Sequence, residues 1–249
     1  MSLVVLLVGL AGIEGVAYVL YRKTTVIFPR FHSDVRYGDF TMRRLRPNTR
    51  FWHTSIDVQW EFRINGQGFR AYKDYTYEKP PGCQRVICLG DSHTEGFECR
   101  QDRTHAAVIE RYFQTRGKCV EAINAGVSGF GTTEALVFLE NEGVKFQPDF
   151  VTLGFYYNDF DDNTRCNMLG LKNGVLVTNS TSYIPGVKIL NVINDIPPLR
   201  WLSQHSYLYS VILNGLWSHS KQRATDASLA KITDEMALKP ADRGTSLAQ

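Results

Sequence analysis

A layered α/β domain built on a parallel sheet is the fold class this sequence predicts, and two observations lead to it. Short apolar runs bounded by turn residues recur at Arg85–Leu89, Cys119–Asn124 and Phe150–Tyr156, and the first two are each followed by a stretch at helical spacing. Strands alternating with helices of this length mean a parallel sheet with right-handed crossovers, hence three layers in a flavodoxin-like arrangement. The chain has 249 residues, 43% of them hydrophobic. That is enough for one sizeable core plus an appendage.

Taken in order, Ser2 to Tyr21 is apolar apart from Glu14, and about twenty such residues can cross a bilayer as a helix. A secretory signal and a helix buried in the fold are the alternatives. A signal begins with basic residues and ends in small ones; this stretch does neither, so a membrane anchor over residues 1–23 is favoured, its lone Glu costly but tolerable. From Arg22 to Arg50 there are eight Lys or Arg residues against Asp34 and Asp39. That basic excess could touch anionic headgroups, and its plainer reading is a solvated linker. Residues 24–82 are expected to be this juxtamembrane linker and a β lead-in, in which Trp52 to Ile64 alternates (Ile56, Val58, Trp60, Phe62, Ile64) as one strand ending at the Asn65-Gly66 turn.

The main domain is expected over residues 83–249. Strand Arg85–Leu89 leads to a helix from about Thr104 to Arg116, strand Cys119–Asn124, a helix from about Thr132 to Glu142, and strand Phe150–Tyr156, which Pro148-Asp149 introduces. Beyond these, Asn173-Gly174 between short apolar runs signals a hairpin over Leu169 to Val177. After Pro197 and Pro198, Leu199 to Trp217 carries apolar residues at helical spacing and reads as one amphipathic helix. Ser218 to Gln249 is polar, with no strand-like run.

Composition excludes some functions. A net charge of +3 is too small for the basic face a nucleic-acid binder carries. Five cysteines without Cys-x-x-Cys pairs or ordered His partners argue against zinc, and their odd number leaves one thiol free unless it pairs between chains. Cys88, inside a strand, reads as a small buried side chain.

Chemistry concentrates at the strand ends. Val86 to Gly96 reads Val-Ile-Cys-Leu-Gly-Asp-Ser-His-Thr-Glu-Gly, with Gly90 allowing a sharp exit that leaves Ser92 at the carboxyl end of its strand, the edge where open α/β sheets bind ligands. Ser and Asp also cap helices, so this stretch alone reads equally well as a capping turn. Two further polar loops follow strands, Asn124 to Thr133 and Gly154-Phe-Tyr-Tyr-Asn-Asp159. In a parallel sheet all three converge on one edge.

These three blocks resemble those of the SGNH or GDSL-type hydrolases, over about residues 60 to 165; Phe62 to Arg70 also looks like the lead-in of bacterial members. The resemblance implies Ser92 as nucleophile, with Gly129 and Asn158 helping to form the oxyanion hole. It further implies the SGNH hydrolase fold, no metal or organic cofactor, and an ester-bearing substrate such as an acylated carbohydrate or lipid. His93 and Tyr156 depart from the family pattern without touching the matched groups.

The base is the serious departure. After Asn158 the only histidines are His205 and His219, and neither has an aspartate three residues before it. Asp102 and His105 have the right spacing but open a helix, where Asp102 or Thr104 reads better as a cap. The resemblance therefore implies either that the end of the fold, with its Asp-x-x-His, lies outside this chain or that the protein has lost it, and that a three-strand remnant exposes a sheet edge. A non-catalytic, membrane-anchored scaffold is the alternative. Arg22, Lys23 and Arg30 put the body in the cytoplasm by the positive-inside rule, whereas family members are commonly secreted or periplasmic; an extracytoplasmic body is expected.

Overall fold

The computed structural model describes residues 2–183, 189 and 192–237. Its centre is a three-stranded parallel sheet of order β6-β5-β7, formed by β5 (Gln84–Gly90), β6 (Val120–Asn124) and β7 (Phe150–Gly154). β5 is the middle strand and is buried from Arg85 onward. Its side chains alternate between two cores. Val86 and Cys88 pack with Val120 and Ala122 against Ala106, Ile109 and Phe113 of α3 (His105–Gln114). Ile87 and Leu89 face the other way, with Ile123, towards Ala135, Val137 and Phe138 of α4 (Thr132–Asn141). The strand pleat and the two crossover helices thus produce a helix on each face of the sheet.

At the amino end of β5, the fully buried Arg85 guanidinium pairs with Glu121 and donates to the carbonyls of Thr76, Tyr77 and Phe146. A disulfide between Cys83 and Cys119 ties the starts of β5 and β6, with Cα atoms 4.6 Å apart, and Cys88, Cys99 and Cys166 remain as thiols. β7 is the uncovered edge. Phe150, Val151 and Leu153 are each about half exposed, and no further strand joins this sheet among the described residues.

The basic stretch after the first helix is not a solvated linker. It forms the antiparallel pair β1 (His32–Tyr37) and β2 (Phe40–Leu45), because its apolar residues alternate between the charges: Tyr37 and Met42 enter the main core, and Leu45 joins Phe31, Phe51, Phe62 and Ile64 in a second one. The alternating run that reads as one strand is two, β3 (Arg50–Thr54) and β4 (Gln59–Arg63), paired antiparallel. The chain reverses between them, leaving Ile56 and Val58 exposed. Period-two alternation carries no information about where a strand folds back on itself.

Towards the carboxyl end, α5 (Asp159–Cys166) is followed by β8 (Leu169–Lys172) and β9 (Val175–Thr178), the expected hairpin. Asn173 and Gly174 both take positive φ (53° and 75°), as a two-residue turn matched to the strand twist requires. The single helix expected over Leu199–Trp217 is two: α6 (Pro197–His205) and α7 (Tyr207–Ala237). Ser206 breaks them with an extended backbone, and α7 takes in much of the polar tail; residues 238–249 lie outside the described part. At the other end, α1 (Ser2–Tyr21) packs against the start of α7 and is otherwise largely exposed. Its stretch Val4–Tyr21 has a mean hydropathy of 2.1 and is almost wholly exposed, which makes it long and apolar enough to span a membrane.

Candidate active site

β5 ends in Gly90, whose φ of 147° excludes other residues on conformational grounds. Space excludes them too: a Cβ there would lie 2.3 Å from Thr94 Oγ1 and 2.7 Å from the Gly154 carbonyl oxygen. The chain turns at once into α2 (Ser92–Glu95), a single helical turn. Buried Asp91 is its cap, accepting from the His93 amide at 2.8 Å, and the same carboxylate lies 3.1 Å from His93 Nδ1. Gly96 closes the turn in the left-handed region, with its amide and that of Phe97 both donating to the Ser92 carbonyl. Ser92 therefore sits half-buried at the amino end of a turn whose two ends are fixed by hydrogen bonds.

The second loop is locked onto this turn. Val127 donates to the Gly90 carbonyl at 3.1 Å. A Cβ on Gly126 would fall 2.3 Å from the Glu95 amide nitrogen, so loop and turn are in direct backbone contact. Glu95 is fully buried and accepts from both the Ser128 amide and the Ser128 hydroxyl, each at 2.6 Å, while Asn124 Nδ2 donates to its carbonyl. Burial raises the Glu95 carboxyl above its usual range; the Ser128 hydrogen bonds and the Arg70 and Arg43 charges oppose that rise.

Gly129 follows, at a φ of 79°. Arg43 of β2 donates to its carbonyl and lies 4.0 Å from Glu134 on α4. Glu134 in turn accepts from the Gly131 amide at 2.9 Å, and burial pushes its carboxyl up to about 7 despite Arg43.

The third loop closes the arrangement. Thr94 Oγ1 would be 2.4 Å from a Cβ on Gly154, and the His93 ring lies against the Tyr156 ring at 4.0 Å between centroids. Asn163 on α5 caps α4 from outside, accepting from the Thr133 amide at 3.0 Å and donating to Thr132 Oγ1 at 2.7 Å. Asn158 stands at the start of α5, part-buried, and its Nδ2 donates to Asp162 at 2.7 Å; Asp162 pairs with Arg165. Asp159 is buried and accepts from the Tyr156 amide. Burial holds its carboxyl above the usual range, the neighbouring Asp91 adding to the effect.

The loops bearing Ser92, Gly129 and Asn158 are thus interlocked at the carboxyl edge of the sheet, with Phe155, Tyr156, Tyr157 and Phe160 exposed beside them. The two late histidines are elsewhere: His205 lies exposed on α6, stacked on Trp201, and His219 is exposed on α7. Of the early Asp-x-x-His spacing, Asp102 pairs with Arg100, His105 is exposed, and Thr104 caps α3 by accepting from the Ala107 amide. Sequence reasoning missed Glu95, Arg43 and Asn163. Glu95 had a faint signal, a carboxylate inside a small-residue turn; Arg43 had none, being one of eight basic residues in its stretch.

Comparison with protein-family models finds no match to this chain, and comparison with curated proteins finds no relative.

Proposed function

We propose that this chain is a membrane-anchored ester hydrolase or O-acyl transferase of the SGNH or GDSL type, with the flavodoxin-like topology of that family. The observation that carries the reading is the interlocking of the three loops at the carboxyl ends of β5, β6 and β7, through Glu95 with Ser128, Thr94 with Gly154, and Asn163 with Thr132. Ser92 attacks the ester carbonyl. Its own amide, the Gly129 amide and the Asn158 carboxamide stabilise the tetrahedral oxyanion, donors whose individual loss typically costs about a hundredfold to a thousandfold in turnover. The exposed aromatic side chains beside the site suit an apolar acyl group or the face of a sugar.

Anchoring is by α1. The Cys83–Cys119 disulfide supports a body on the oxidising, extracytoplasmic side. A base for Ser92 is unassigned among the described residues. Even without one, an oxyanion hole and binding alone retain about a thousandfold to ten-thousandfold over water, so slow acylation of Ser92 is expected.

The test is a fluorophosphonate probe on the full chain in detergent micelles, read by mass spectrometry. A phosphonylated Ser92, lost in Ser92→Ala and kept in Ser128→Ala, is the expected result. A folded protein that acquires no adduct at Ser92 sinks the hydrolase reading. It would leave the scaffold reading, which one observation favours: the Asn158 amide is already engaged by Asp162 within its own helix.

A further inference from the structure

Glu14 is the one charged residue in the apolar stretch Ser2 to Tyr21, and anchoring alone gives no reason for it. Its carboxylate is fully used. Oε1 accepts from the Tyr207 amide at 2.7 Å, and Oε2 accepts from the Ser206 hydroxyl at 2.6 Å and the Leu208 amide at 3.3 Å. Ser206 Oγ accepts from the Tyr209 amide at 3.0 Å, and the Ser210 amide donates to the Ser206 carbonyl. The opening amides of α7 are therefore all satisfied by protein groups, with no call on water. A helix start in water can use such caps or leave its amides to solvent; one surrounded by hydrocarbon must have every amide satisfied, because unsatisfied backbone groups are costly there.

Depth follows from position along α1. Glu14 is seven residues before Tyr21, about 10 Å at 1.5 Å per residue, and α1 at twenty residues matches a hydrocarbon core of about 30 Å. The corner between α6 and α7 thus lies roughly a third of the way into the layer α1 would cross. The flanking contacts agree with this direction of travel. Tyr18 packs edge-on against Tyr207, while Arg30, past the end of α1, reaches Asn214 and the Trp217 ring. α7 therefore starts beside the interior of α1 and climbs alongside its last turns to the body. α6 descends from the body, where it contacts β3, to the same corner. On the outside of this helix-corner-helix, Trp201, Ile212 and Leu216 are more than half exposed. His205, nearest the corner, is folded onto its own helix, its Nδ1 2.8 Å from the Trp201 carbonyl and its ring stacked on Trp201.

We propose that α6 and the first ten or so residues of α7 are a re-entrant membrane segment, dipping into the same leaflet from which α1 emerges and held there by Glu14. The occupant of its outer apolar face is lipid. The proposal rests on α1 spanning a bilayer, and the experiment separates the two. Val8→Cys and Ile212→Cys, each in a Cys99→Ser background, are labelled with an environment-sensitive fluorophore in the full chain reconstituted into phosphatidylcholine and phosphatidylglycerol vesicles. Quenching is then compared between doxyl lipid and aqueous cobalt.

Lipid quenching at both positions, several-fold above that by cobalt, is the expected result. Lipid quenching at position 8 with cobalt quenching at 212 overturns the re-entrant segment and leaves the anchor. Position 212 shielded from both quenchers means a protein covers the face, a second copy included, and also overturns it. Failure of lipid to quench position 8 removes the anchor and the proposal together. Glu14→Leu should keep lipid quenching at position 8 and lose it at 212; unchanged quenching at 212 in that variant overturns the role given to Glu14.

Discussion

Glu95 joins two loops that are more than thirty residues apart in sequence. Its carboxylate is completely buried and takes two hydrogen bonds from Ser128. Glu95→Ala would leave the Ser128 amide unsatisfied and open a cavity under the Ser92 turn, which together cost about 2–4 kcal/mol. Urea unfolding of that variant should show the loss, and the fluorophosphonate rate at Ser92 should fall with it; unchanged stability would mean that Ser128 finds water instead. The place of Ser92 just past the end of β5 was legible because an apolar run closed by glycine marks a sharp exit from a strand. Arg43 was not: its role depends on a contact with Gly129, 86 residues away, and no local pattern encodes that.

Among the elements, the parallel strands and their helices agree with the sequence pattern to within a residue or two at most ends. The reason is that β5, β6 and the two crossover helices each bury a face, so their apolar periodicity records the packing directly. Two misread elements lie where a break interrupts an unbroken pattern, between β3 and β4 and at Ser206, and the third, the β1–β2 pair, is masked by its many basic residues. The Cys83–Cys119 bond joins the two strands at their open ends across 36 residues. Closing a loop of that size is worth about 2–4 kcal/mol in the unfolded-chain entropy model. Cys83→Ser with Cys119→Ser should therefore lower the thermal midpoint by several degrees, and reducing agent should do the same to the parent protein while leaving the double variant unchanged.

For the molecule as a whole, buried histidines set the response to acid. His32 and His53 are both buried, and burial lowers them to about 3 and about 4, with the surrounding arginines adding to the effect at His32. A histidine depressed on folding contributes stability that is complete above its unfolded value of about 6.5 and is lost as pH falls from there towards the folded value. Glu134 runs oppositely. Its carboxyl, raised to about 7, favours the folded state in acid and loses that contribution as pH rises from 4.5 to 7. His53 sits among Phe28, Phe62 and Phe97 with ring centroids 4.5–5.9 Å away. His53→Phe should shrink the stability lost between pH 7.5 and pH 5 by about 2 kcal/mol, measured by urea unfolding at the two values. An equal loss in variant and parent would show that His53 carries none of it.

What the amino-acid order determined by itself was local: apolar periodicity, glycine at sharp exits and an asparagine-glycine turn, each read within a window of ten to twenty residues. These yielded the parallel sheet, its two helices, the β8–β9 hairpin and a first helix apolar enough to span a membrane. The tertiary structure alone decided that the basic stretch after α1 is a packed hairpin, that Cys83 and Cys119 are partners, that Glu95 and Asn163 clasp the three loops, and that Glu14 caps α7. Each depends on which groups the fold buries together, and for Glu95, Asn163 and Glu14 it is a pairing of polar groups distant in the chain. Such a pairing exists because burial makes an unsatisfied charge or amide expensive, and burial is a property of the folded whole that no single segment contains.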